Sequence, residues 1–353
     1  MVQSIITGIL CGGLLGFVLQ RGRFCITSAF RDMYIARDNR MFIALLVAIA
    51  VQSIGVFALY SFGIIKLSPG NFMWLATIIG AFIFGLGIVF AGGCATGTWY
   101  RAGEGLIGSW IALATYMLSS AIMKSGVLKS ATDSLQSYQL PITSIYDTLR
   151  VSPWVLVALL ALISVFLVWQ QLRREVKIPA LKSKKTGLAH VLFEKRWHPF
   201  VTAVLVGLIA ILAWPLSAAT GRMFGLGITT PSANLLQYLV SGDSTILNWG
   251  VFLVIGIFVG SFVAAKASGE FRFRAPDATT SIRSFLGGLL MGCGASLAGG
   301  CSIGNGLVET ALLTWQGWVS LPFMIFGTWV AAYFTIIRPQ QKKTLSTAAQ
   351  TAS

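Results

Sequence analysis

Nine apolar stretches, near residues 4–20, 42–64, 72–91, 105–123, 153–171, 199–217, 248–265, 284–298 and 315–337, constrain this chain more than any other feature. A bilayer's hydrocarbon core takes about 20 residues of helix. Lipid offers no partner to an unpaired backbone N–H or C=O, so a segment that crosses it must be helical or part of a closed barrel. Stretches of this length predict an all-α polytopic membrane protein with about nine transmembrane helices. Of 353 residues, 56% are hydrophobic and only 10% charged, against about 25% charged in an ordinary soluble domain. A soluble enzyme is thereby excluded. The partner this surface needs is the lipid bilayer, and the net charge of +15 reads as basic loops, with no nucleic acid implied. The first stretch lacks the basic start and small-residue cleavage site of a signal peptide.

The positive-inside rule orients the spans. The most polar loop holds Arg173, Arg174, Lys177, Lys182, Lys184, Lys185, Lys195 and Arg196, which makes that side cytoplasmic. Alternation through nine spans puts the N-terminus in the periplasm and the C-terminus in the cytoplasm. Of the 26 Lys and Arg, only Lys66, Lys124, Lys129, Arg150 and Arg222 then fall outside. An even number of spans would scramble this bias. The loop carries neither a phosphate-binding Gly-rich motif nor a dinucleotide fingerprint.

Two segments align without gaps at an offset of 207: GAFIFGLGIVFAGGCATG from Gly80 to Gly97, and GGLLMGCGASLAGGCSIG from Gly287 to Gly304. Both place Ala-Gly-Gly-Cys directly after an apolar span, at Ala91–Cys94 and Ala298–Cys301. A weaker match, with a short insertion, pairs Gly22 to Thr27 with Gly221 to Thr229 and sets Cys25 opposite Gly227. The two Ala-Gly-Gly-Cys spans are an odd number apart and run in opposite directions. This predicts an inverted repeat, a signature of transporters whose site lies at the midplane between halves. The expected organisation is a first four-span repeat over 1–126, a connector span and basic loop over 127–198, a second, inverted repeat over 199–340, and a polar tail over 341–353.

A span that ends in Gly-Gly-Cys and resumes with small polar residues predicts a re-entrant dip, since irregular backbone at membrane depth is tolerated where it lines a cavity or is buried in protein. Residues 24–35 and 230–241 suggest two more dips, giving four short re-entrant helices. Their N-terminal N–H groups and dipoles attract an anion. Candidate anion-binding backbone or side-chain groups are Gly92, Gly93, Gly97, Gly299, Gly300, Ser302, Asn305 and Thr229. Cys25, Cys94 and Cys301 sit at three of the breaks, as a file of thiols across the membrane. A neutral thiol is a weak, polarisable donor that suits a soft sulfur atom, so a sulfur-terminated oxyanion fits such a path. Cys11, within Gly8-xxx-Gly12-xxx-Gly16, and Cys293, between two glycines, read as packing residues. Arg23 flanks Cys25 and would draw an anion or anchor the span end. Glu104 and Glu309 follow the two Cys dips and would cap a helix or pair with a base such as Arg101; a proton relay is the sharper alternative. Five Cys and two His suggest no metal site, and no cofactor is called for.

The segments Arg21-Gly-Arg-Phe-Cys25, Ala91-Gly-Gly-Cys-Ala-Thr-Gly97 and Ala298-Gly-Gly-Cys-Ser-Ile-Gly304, with the longer runs FAGGCATGTWYRAGEGLIGSW and FEKRWHPFVTAVL, resemble the YeeE/YedE family of bacterial inner-membrane sulfur transporters over essentially residues 1–340. The resemblance implies nine spans with four dipping helices in an hourglass, and a transporter of thiosulfate, not an enzyme. It carries three essential cysteines onto Cys25, Cys94 and Cys301, and implies a small cytoplasmic TusA-like sulfurtransferase as partner. A transporter of another sulfur or selenium species would share this architecture. A membrane thiol oxidoreductase would usually present a CxxC pair, and the sequence has none.

Overall fold

The structure is a computed structural model that describes residues 1–174, 187–195 and 197–341. Lys177, Lys182, Lys184, Lys185, Arg196 and nearly all of the polar tail lie outside the described residues. Every expected stretch is a helix. In chain order the elements are α1 (Val2–Gly22), α2 (Ile26–Ile35), α3 (Arg40–Ser61), α4 (Trp74–Phe90), α5 (Ala95–Gly103), α6 (Ile107–Lys124), α7 (Lys129–Gln136), α8 (Ile145–Leu149), α9 (Pro153–Arg174), α10 (Gly187–Phe193), α11 (Pro199–Ala218), α12 (Thr229–Ser241), a 3-10 turn (Ser244–Ile246), α13 (Trp249–Ala267), α14 (Ala278–Leu297), a π-helix (Gly304–Glu309), α15 (Trp315–Ala332) and a second π-helical segment (Tyr333–Ile337). Among the described residues, β-pairing is confined to isolated bridges such as Leu106 with Arg274.

Seven helices, three of them counted with the segment that follows, are long and apolar enough to cross a membrane on their own; α6 joins them if counted with α7 across a 70° bend. The remaining long helix, α14, is rich in glycine, serine and threonine and carries Arg283. It packs between α4 and α6, so much of its surface meets protein instead of lipid.

The order long, short, long, long, short, long occurs twice, over α1–α6 and again from α11 to α15, with α9 between. The two sets interlock by equivalent pairs: α1 packs on α13 as α11 packs on α3, α6 on α14 as α15 on α4, and α2 on α15 as α12 on α6. A Cβ on Gly80 would meet Gly294 and Ala298, and one on Gly87 would meet Gly287 and Met291. Partner numbers fall as Gly80 gives way to Gly87, so α4 and α14 run antiparallel.

Small residues permit this closeness. A Cβ on Gly12 would lie 2.0 Å from the Leu253 carbonyl oxygen, and one on Gly16 2.1 Å from that of Ile257. The glycine stripe of α1 is therefore the contact face with α13. Cys11, on the same helix, is buried as a packing residue. The second cysteine read that way, Cys293, is half-buried.

Candidate functional site

Two turns carry the cysteines inward. After α4, Gly92 takes φ +69°; after α14, Gly299 takes φ +73°. Both are left-handed conformations that glycine adopts without a side-chain clash. From here the halves differ. In the first, Cys94 caps α5 and its sulfur accepts the Gly97 N–H at 3.4 Å. Gly97 was expected to offer that N–H to an anion, and it is already engaged. Arg101, in the last turn of α5, reaches back and donates to the Gly92 carbonyl. A Cβ on Gly93 would lie 3.3 Å from the same guanidinium.

In the second half no α-helix follows the cysteine at once. Cys301 leads through a turn into the wider π-helix, a correction to the short α-helix expected there. The Asn305 side-chain amide donates to the Ala298 carbonyl at 2.7 Å, and Gln316 donates to the same oxygen at 2.8 Å. Asn305 is thus a fastener of the turn, with at least one N–H spent on backbone.

Two cavities approach the turns. One, of about 430 Å³, is lined by Arg21, Arg23, Cys25, Ser28, Tyr100, Arg101, Glu194 and Glu270. The other, of about 310 Å³, is lined by residues that include Arg222, Thr229, Gly299, Gly300, Cys301 and Gly304. α11 starts just after Glu194 and ends just before Arg222; α13 starts at Trp249, 5.9 Å from the Arg222 guanidinium, and ends just before Glu270. A helix of about 20 residues spans about 30 Å, so the cavities open on opposite faces. Cys94 is buried, 2% exposed, within electrostatic reach of both Cys25 and Cys301. All five cysteines are free thiols.

The charges around the cavities differ in kind. On the Cys25 side, Arg23 binds Glu104 at 3.1 Å and Glu270 at 2.7 Å. Arg21 reaches Glu270 at 3.6 Å and donates to the carbonyls of Leu192 and Lys195. The base that pairs with Glu104 is therefore Arg23. Arg101 is left facing the Cys25 sulfur at 3.5 Å, and among the described residues no carboxylate lies within ion-pair distance of it. Glu309 accepts from Thr314 at 2.9 Å and lines neither cavity. On the Cys301 side, Arg222 is held by neutral groups alone: Ser217 Oγ at 3.0 Å and the carbonyls of Phe224 and Gly225 at 2.9 and 2.7 Å. It was absent from the expected site residues. The signal was present in the weaker internal match, which sets Arg222 opposite Arg23. Tyr116, also unforeseen, donates to Thr229 at 2.9 Å. Among the described residues no cluster of three His, Cys, Asp or Glu is placed to hold a metal.

A multi-span helical membrane protein with paired, dipping cysteine turns and a cavity on each face has the form of a membrane transport protein. Residues 21–330 match the sulphur transport family, and the chain belongs to that family, as its resemblance to the YeeE/YedE proteins implied. It is 63% identical over 350 residues, 99% of each chain, to the thiosulfate transporter TsuA of Escherichia coli (strain K12). It is 34% identical over 346 residues, 94% of this chain and 99% of the relative, to the thiosulfate transporter TsuA of Spirochaeta thermophila. A 97-residue segment, 27% of this chain and 23% of the relative, is 41% identical to the probable transporter YedE of E. coli.

Proposed function

We propose that this protein takes up thiosulfate across the bacterial inner membrane, along a path lined by Cys301, Cys94 and Cys25. One observation supports the reading: two cavities are lined by Cys301 and by Cys25, and the buried Cys94 is within electrostatic reach of both. Full-length similarity to two thiosulfate transporters supports the choice of anion.

The basic face is the cytoplasmic one, so the N-terminus lies in the periplasm and the C-terminus in the cytoplasm. Residues 1–126 and 199–340 act as inverted repeats around the path. Thiosulfate enters the outer cavity, where Arg222 is the only charged lining residue among the described residues. Its terminal sulfur accepts from the thiols in turn, and backbone N–H groups of the dips hold its oxygens. It leaves past Cys25 and Arg101 into a cavity where Glu270 and Glu194 offset the arginines. No covalent step is required, and the protein acts as a transporter, not an enzyme.

Two negative charges moving inward against 100 mV cost about 4.6 kcal/mol. Consumption on the cytoplasmic side, by a TusA-like sulfurtransferase, would offset this cost.

The test is thiosulfate-dependent growth of a bacterium deficient in sulfate uptake, carrying the chain and its partner. Growth with wild type and with Cys11→Ala, and loss with Cys94→Ala at equal membrane abundance, is the expected result. No growth with wild type overturns thiosulfate in favour of another sulfur or selenium species. Normal growth with Cys94→Ala overturns the thiol path.

A further inference from the structure

Each turn cysteine is followed within two residues by a hydroxyl: Cys25-Ile26-Thr27, Cys94-Ala95-Thr96 and Cys301-Ser302. Thr27, Thr96 and Ser302 are only 1%, 2% and 0% exposed, yet none of their hydroxyls has an oxygen or nitrogen partner. Serines and threonines elsewhere in these helices usually return the proton to a carbonyl one turn back, as Thr98 does to Ala95 and Thr328 to Met324. Buried polar groups without partners are rare, and each calls for a physical reason. Gln20, Gln52, Thr77, Ser120, Trp214 and Ser296 also carry unpartnered atoms, but none of them lies within two residues after a turn cysteine.

The placement is systematic. Thr27 and Thr96 are each the second residue of a dipping helix whose N-cap is a cysteine. The Thr27 hydroxyl stands beside the Cys25 thiol, near enough for a weak O–H···S contact, and meets no stronger partner. Ser302, arriving from the other half, stands beside the Cys94 thiol in the same way, with a weak O–H···S contact at most and no stronger partner. Thr229, the counterpart of Thr27, has its oxygen engaged by Tyr116. A thiol and a hydroxyl with no oxygen or nitrogen partner therefore stand side by side at Cys25 and at Cys94, and α5 adds a third hydroxyl.

We propose that Thr27, Thr96 and Ser302 are specificity-determining donors, whose O–H groups bind the oxygens of the passing oxyanion while the neighbouring thiols face its sulfur. The inference rests on the reading of the path as an oxyanion route. An O–H donates more strongly to a hard oxygen than an S–H does. Sulfate would satisfy the hydroxyls and offer nothing soft to the thiols. Hydrosulfide would satisfy the thiols and leave the hydroxyls unpartnered. Only an anion with both kinds of atom engages the whole set.

The experiment is uptake of radiolabelled thiosulfate by the purified full chain in liposomes, with the melting temperature of each variant measured in parallel. Thr27→Val, Thr96→Val and Ser302→Ala should each lower initial uptake at subsaturating thiosulfate about tenfold. Their melting temperatures should hold or rise, because replacing an unpartnered buried hydroxyl by an alkyl group of similar shape costs little. Thr27→Ser should retain uptake. Thr328→Val, which removes a buried hydroxyl already bonded to a carbonyl, should leave uptake unchanged. Full uptake by the three variants overturns the inference and leaves the thiosulfate path standing. Lost uptake with a lowered melting temperature also overturns it, by showing a structural role. No uptake by wild type overturns the oxyanion reading itself.

Discussion

The two cavities are built on equivalent elements and end in opposite electrostatics. On the Cys301 side one guanidinium, Arg222, is held by a hydroxyl and two carbonyls, so its charge is left for a ligand. On the Cys25 side, its counterpart Arg23 is tied to Glu104 and Glu270. The two sides share an order of elements, while long-range contacts set the charge. An uncompensated cation collects anions. A compensated one anchors the protein, and Arg101, which donates to the Gly92 carbonyl and faces the Cys25 sulfur, has no carboxylate partner among the described residues.

The largest effect should come from breaking the compensated side. Arg23→Gln strands Glu104, whose side chain is 5% exposed. Removing one partner of a buried pair costs about 3–5 kcal/mol; Arg23 is itself over a third exposed, so about 2 kcal/mol is expected here. Thermal unfolding of the purified protein checks this, and adding Glu104→Gln should recover much of the loss. A fall in uptake with unchanged stability would mean that Arg23 serves the anion directly.

Next comes the uncompensated side. Arg222→Gln should raise the thiosulfate concentration for half-maximal uptake about tenfold, equivalent to about 1.4 kcal/mol, with little change in maximal rate. Concentration-dependent uptake in proteoliposomes separates the two quantities. An equal fall in maximal rate would place Arg222 at the rate-limiting step instead of at capture.

Smaller effects should separate the turns. Gly92→Ala meets no atom within 4 Å, so it bears only the left-handed backbone cost, on the order of 1 kcal/mol. Gly299→Ala adds a contact at 2.7 Å with Gln316 Nε2, which helps fasten the turn, and should lower the melting temperature further. Equal shifts would show that Gln316 yields freely. Asn305→Ala should cost about 1–3 kcal/mol by loosening the Ala298 carbonyl; its counterpart at an offset of 207, Thr98→Ala, removes a bond within one helix and should cost less.

The helices were legible because lipid forbids unpaired backbone, which forces continuous apolar runs into the sequence. The dips were legible because Gly92 and Gly299 mark a backbone that only glycine takes readily. α14 was harder to delimit: four of its first six residues, Thr279, Thr280, Ser281 and Arg283, are polar. The π-helix after Cys301 had no local signal, since its apolar and small residues suit an α-helix equally well. Pairing of Arg23 with Glu104 and Glu270 joins residues far apart in sequence, and no periodicity reports such a contact. Arg222 was hidden behind a short insertion in the repeat.

The most direct measurement of the central claim is sided thiol labelling. In a chain carrying Cys11→Ala and Cys293→Ala, a small membrane-impermeant thiosulfonate reagent is applied from one face of oriented vesicles and then from the other. The account predicts that Cys301 reacts only from the face of Arg222, that Cys25 reacts only from the face of Arg23, and that thiosulfate protects both. Reaction of both cysteines from the same face, or labelling that thiosulfate leaves unchanged, would contradict it.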